Sequence, residues 1–260
     1  MSYPAAALVV VLSAGLAGLA GYLVSRFVGL EIRRRHYDVG SVVFLQLGVI
    51  YAVLLAFVFS EVWGEYNTAN QAINAECGSL HGVAMLARDL SDGAGGPVNR
   101  AVAAYAGAVV AEEWPLMAQR RASVEARDDF EAMLDAIATL EAARPRDAAI
   151  RGQVLSLLAS AHAQRETRLF QMTQGIPDLL WALLILYTGL LVGFVLFASV
   201  EVPALHVLLV SAFAGCAVLA LVVIRMLDYP FEGALALRST DFQGTLEKVA
   251  HLAAMARSGP

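Results

Sequence analysis

Between Val42 and Leu90 the chain carries an apolar run long enough to cross a bilayer, followed without a proline by a polar run that keeps helical periodicity. A single helix of roughly 50 residues would be about 75 Å long, well over twice the hydrocarbon thickness of a membrane. Such a helix must leave the bilayer and become the first helix of a water-exposed region. No soluble globular class needs that geometry. A composition of 58% hydrophobic and 16% charged residues agrees, as does a mean hydropathy of +0.63.

What the chain lacks narrows the function classes. Its net charge of −5 offers no basic stripe to displace counterions from a nucleic acid. Cys77 falls in the polar region and Cys216 in an apolar run, so both are expected unpaired. His, Cys and carboxylates do not cluster at metal-ligand spacing, and no phosphate loop or nucleophile elbow occurs. The reading is therefore of a protein that is not an enzyme and holds no cofactor.

Four spans are expected. Ala5 to Phe27 has no Lys or Arg before Arg26, which reads as a mature transmembrane helix rather than a signal peptide. Ser13, Ala17 and Gly21, with Ala14 and Gly18 beside them, offer a small-residue face for close helix packing. The second span covers Val42 to about Val62. Gln46, Ile50, Val53, Phe57 and Gly64 share one arc of it, while Gly48, Ala52 and Ala56 mark another. Leu179 to Ala198 and Ala204 to Met226 form a hairpin, with Gly189 and Gly193 at GxxxG spacing and His206 and Arg225 near the ends of the last span. The connector Glu31 to Asp38 holds Arg33, Arg34 and Arg35, and the positive-inside rule places it in the cytoplasm. Arg165, Arg168, Arg225 and Arg238, read as flanking the other face, nearly balance it and leave orientation open.

The polar middle predicts a helical bundle. Ser91 to Pro97 breaks the long helix, and a second helix reads from Val98 to about Trp114. Ser123 caps a third that runs to about Ala143 with Phe130, Leu134, Ile137 and Leu140 inward. Arg144-Pro145 ends it, and a fourth starts at Asp147. Within Glu112-Glu113-Trp114-Pro115, Trp114 is read as a helix-end anchor and Pro115 as a terminator, with docking or gating as the functional alternative. Glu112 and Glu113, adjacent on a helix, point in different directions and are read as a solvated face. The expected organisation is a first transmembrane pair over residues 1–62 and a helical extramembrane domain over 63–175 continuous with the second span. A second transmembrane pair over 176–227 and a turn with an amphipathic C-terminal helix over 228–260 follow.

Three motifs carry a family resemblance: Phe57-Val-Phe-Ser60 with Val62-Trp63, Glu112-Glu-Trp-Pro115, and the turn Asp228-Tyr-Pro230-Phe231-Glu-Gly233. In this order, within a plan of two spans, a helical domain and two spans, the chain resembles the bestrophin-like bacterial membrane proteins. The resemblance implies an all-α membrane fold in which the second span supplies an apolar neck, making Ile50, Val53 and Phe57 neck candidates. It matches Asp228, Pro230, Phe231 and Gly233 to the turn after the fourth span. Bestrophins that sense calcium carry a dense acidic run after that turn, whereas this chain has only Glu232 and then Asp241, so calcium binding is not expected. Bestrophins also keep the helical domain in the cytoplasm, against the arginine count.

The function expected is a homo-oligomeric ion channel, a pentamer in a bacterial inner membrane. Its partners are membrane lipid, ions and its own copies, and no nucleic acid. Apolar rings would gate by dewetting, and Gln46, Ser60 and Glu61 would stand at the mouths. The alternative is a non-conducting scaffold or sensor whose helical domain binds a partner and shifts the long helix.

Overall fold

The computed structural model describes residues 1–35, 37–140 and 144–257. Among these the chain is helical with no strand: α1 (Tyr3–Phe27), α2 (Leu30–Arg35), α3 (Tyr37–Ala87), α4 (Gly95–Ala108), α5 (Trp114–Met117), α6 (Val124–Ala138), α7 (Pro145–Gln171), α8 (Asp178–Leu196), α9 (Pro203–Leu227) and α10 (Thr240–Arg257). Helices α1, α3, α8 and α9 are long and apolar enough to cross a membrane. The chain divides into two compact units, one of residues 1–64 with 175–228 and one of residues 65–174 with 229–260. The 51 residues of α3 contribute to both.

In the first unit, ends and packing follow from local chemistry. The Ser2 hydroxyl accepts from the Ala5 N–H and Pro4 sits in the first turn of α1, where its missing N–H costs nothing. Pro177 precedes α8 and Pro203 opens α9 in the same way. The small face of α1 meets α9: a Cβ on Gly18 would fall on the Ser211 hydroxyl, one on Gly21 would lie 3.3 Å from Val210, and one on Gly215 would lie 3.3 Å from Ala14. Close approach of this kind drives helix association in lipid, where hydrophobicity gives no preference between helix and acyl chain. Tyr51 of α3 exchanges a 2.7 Å hydrogen bond with Thr188 of α8 and stacks on Tyr187. Phe44 of α3 packs against Phe194 and Phe213. His206, near the start of α9, is fully buried, its Nε2 3.4 Å from the Val195 carbonyl across the hairpin.

The second unit is a water-type bundle. Ile73, Leu80, Val83 and Ala87 form the inward stripe of α3, and Val102, Tyr105, Met133, Leu158 and Phe242 arrive from α4, α6, α7 and α10. The C-terminal helix α10 is thus a fifth member of the bundle, beyond the four read from the polar middle. The break after α3 needs glycine twice. Gly93 has φ +75°, and a Cβ on Gly95 would collide with the Ala87 carbonyl. Ser123 caps α6 through the Ala126 N–H, as its sequence suggests. The buried face of α6 is centred on Met133 rather than Leu134 and Leu140, which are only partly buried. This helix ends at Ala138, where the Thr139 N–H donates to the Asp135 carbonyl, short of the end expected near Ala143.

Pro115 does not terminate its helix. The chain widens into a π-helical turn at Val109–Glu113, in which the Trp114 N–H reaches back five residues to the Val109 carbonyl, and α5 then continues through Pro115 to Met117. A proline inside a regular helix clashes with the carbonyl four residues back. The wider turn removes that clash. The stop comes at Arg120, which adopts a left-handed φ of 60°.

Candidate functional site

Along the membrane part of α3 a single stripe is buried, Tyr51, Val58 and Val62, spaced by seven and four residues. Gln46, Ile50, Val53, Phe57, Ser60 and Glu61 all lie off that stripe and are exposed, Phe57 to 72%. The helix packs with one side and presents the other, and all six residues read as neck or mouth share the presented side. Ala52 and Ala56 are exposed as well, and a Cβ on Gly48 would meet nothing within 4 Å.

In the second unit two of the sequence motifs come together. Trp114 packs edge-on against Phe231 at 5.8 Å and against Phe242 at 5.7 Å, and its indole N–H donates to the Leu237 carbonyl at 3.2 Å. Trp114 is therefore an anchor, though in mid-helix, and it holds the segment that follows the last span. Pro230 and Phe231 are buried, and the Pro230 carbonyl accepts from the Leu237 N–H at 2.8 Å, closing the turn. Gly233 has φ +87°, a conformation a side chain would strain. Arg120 lies over the Tyr229 ring at 3.6 Å and pairs with Glu232. Asp228 belongs to the first unit, where its carboxylate accepts from the Ile176 N–H at 2.8 Å and ties the end of α9 to the start of α8.

A family model describing a Bestrophin-like domain matches residues 11–242. The chain belongs to the bestrophin-like family. No curated protein sequence matches it. Among solved structures, a point variant of a bacterial bestrophin homologue from Klebsiella pneumoniae superposes with a TM-score of 0.75 at 13% identity, over 93% of this chain and 99% of that one. Another structure of a homologue from the same organism, phased on zinc, gives 0.72 at 14% identity over 94% and 98%. A structure described as a variant of a membrane protein gives 0.75 at 14% identity over 94% and 98%. At such identity the likeness is one of fold.

The bestrophin-like bundle also holds a cluster that the sequence reading missed. Glu113 is not on a solvated face but fully buried, whereas its neighbour Glu112 is exposed. Arg165 and Arg168, counted in the sequence among flanking positive charges, are both buried against carboxylates. Arg168 donates from Nε and Nη2 to the two oxygens of Glu76 at 2.9 and 3.2 Å, and from Nη2 to Glu113 at 2.8 Å. Arg165 completes the Glu113 carboxylate at 2.5 Å. The Tyr105 hydroxyl donates to Glu76, and the Arg168 guanidinium faces the rings of Phe242 and Trp114 at 5.2 and 5.7 Å.

Two carboxylates and two guanidiniums make the cluster neutral, and each carboxylate accepts at least two hydrogen bonds. Burial opposes the Arg168 charge, but Glu76, Tyr105 and Glu113 outweigh it and raise the guanidinium above its usual range. Burial and the adjacent Glu76 hold the Tyr105 hydroxyl well above its usual value. With every charge answered, the cluster clamps α3, α4, the π turn and α7 together. It has no free acid, base or nucleophile. The one local signal was a pair of arginines three apart on the inward stripe of α7.

Proposed function

We propose that this bestrophin-like chain is the subunit of a homo-oligomeric ion channel, five copies around an axis in a bacterial inner membrane, with the exposed arc of α3 lining the pore. The observation that carries the reading is the exposure of Gln46 on the same arc as Ile50, Val53 and Phe57. A carboxamide turned towards hydrocarbon has no hydrogen-bond partner and is costly there. A helix ring turns that arc towards water and neighbouring subunits. Ile50, Val53 and Phe57 then form an apolar neck that gates by dewetting, and Ala52, Ala56 and Gly48 let the adjoining helix approach. Gln46 stands at one mouth, Ser60 and Glu61 at the other. A ring of Glu61 carboxylates would favour cations over anions.

Planar-bilayer recording of the purified protein tests this. Wild type should conduct, Phe57→Ala should raise open probability or conductance several-fold, and Glu61→Gln should shift reversal potential towards anions. A correctly assembled protein that passes no current, or currents indifferent to both substitutions, would overturn the channel reading in favour of a non-conducting scaffold.

A further inference from the structure

One end of the first unit holds an apolar groove of about 860 Å³. Val28, Ile32, Phe44, Leu190, Phe194 and Phe197 are among the apolar side chains that line it. Its floor includes Gly189 and Gly193, the GxxxG pair of α8, and a Cβ on either would meet nothing within 4 Å. The small residues that on α1 seat another helix therefore seat nothing among the described residues on α8. Among groove-lining side chains one is charged. Arg33 is 93% buried by its 7% exposure, and its Nη1 donates to the Ala198 carbonyl at 2.9 Å. Its Nε is buried with no hydrogen-bond partner, and no carboxylate among the described residues pairs with it. The neighbouring Arg34 is exposed and already bound to Glu201.

We propose that this groove binds an anionic glycerophospholipid, its phosphate on the Arg33 guanidinium and an acyl chain along the Gly189–Gly193 floor. The groove is lined by α3 and α8, both long and apolar enough to cross a membrane, which puts acyl chains within its reach. A buried cation left without a counter-charge is unfavourable, and basic pockets between transmembrane helices collect acidic headgroups. Apolar walls alone would take any lipid; the arginine at one end selects for the anionic headgroup. The volume is at the upper end of small-ligand sites, roughly 300–1,000 Å³. The proposal does not depend on conduction.

Native mass spectrometry of the full chain, released from detergent in the presence of phosphatidylglycerol or phosphatidylcholine with the same acyl chains, tests it. Wild type should retain phosphatidylglycerol about tenfold over phosphatidylcholine, as expected for a charge-assisted contact. Arg33→Gln should remove that preference and Arg33→Lys should keep most of it. Gly193→Leu adds bulk to the groove from a position where a Cβ meets nothing within 4 Å, and should lower occupancy by both lipids at an unchanged melting temperature. Glycerol 3-phosphate at the same concentration should not compete. Equal retention of the two lipids by wild type, or an unchanged preference in Arg33→Gln, would overturn the proposal. So would competition by glycerol 3-phosphate, which means a free-anion site. A changed subunit number in Gly193→Leu with lipid occupancy intact would also overturn it, by placing a second copy of the chain in the groove.

Discussion

Two buried arginines sit in different regions and behave as opposites. Arg168, in the helical bundle, has two carboxylates, a methionine sulfur and two aromatic faces around it. Arg33, at the end of the membrane helices, has one backbone carbonyl. The bundle answers its charge with groups from its own chain, so the charge contributes to the fold. Among the described residues the membrane unit brings no carboxylate to this charge, and the proposed phospholipid would supply the missing anion. Burial alone therefore does not mark a functional charge; the inventory of partners does.

The largest test of that contrast is Arg168→Met. It strands Glu76 and Glu113 in the core and should destabilise the protein by about 3–5 kcal/mol, read as loss of the folded fraction in chemical denaturation in detergent. If the variant melts like wild type, the cluster is not a clamp. Glu113→Gln keeps the shape but leaves Arg165 and Arg168 short of a charge, for which about 2–3 kcal/mol is expected. Glu112→Gln, on the exposed side of the same turn, should stay within about 0.5 kcal/mol. Equal effects would mean that the two carboxylates are not distinguished by burial.

Tyr105→Phe removes one bond to Glu76 and should cost about 1–2 kcal/mol near neutral pH. It carries a pH signature as well. The folded-state pKa of Tyr105 is raised above the unfolded value near 10, so its contribution is complete below about pH 10 and is lost as pH rises further. Wild-type stability should fall above that pH, and Tyr105→Phe should flatten part of the fall; parallel curves would count against the assignment. The smallest effect is expected from Arg33→Gln, a melting-temperature change within a few degrees in lipid-free detergent, because one carbonyl contact is all the chain itself gives up. A loss comparable to Arg168→Met would show that Arg33 is structural and would erase the contrast.

Much of the fold was legible because its causes are local. Ser123 before an acidic first turn, the glycines after Ala87 and the small face of α1 each act through residues within a few positions or through a general preference for close packing. Pro115 was misread because a terminator and a π turn leave the same trace in sequence: both put a proline after helical residues, and only backbone widening tells them apart. Of the candidate site, the arc of α3 could be drawn on a helical wheel. Which arc the other spans would cover could not.

The residues by themselves determined four apolar helices, the continuity of α3 and the bestrophin-like motif order, since partition between lipid and water and helical periodicity are written along the chain. Tertiary structure alone decided which of Glu112 and Glu113 is buried, which arginines find carboxylates, and that Gly189 and Gly193 face an open groove. Glu76 and Arg168 are 92 residues apart, and periodicity says which way a side chain faces on its own helix without saying what another helix brings to meet it.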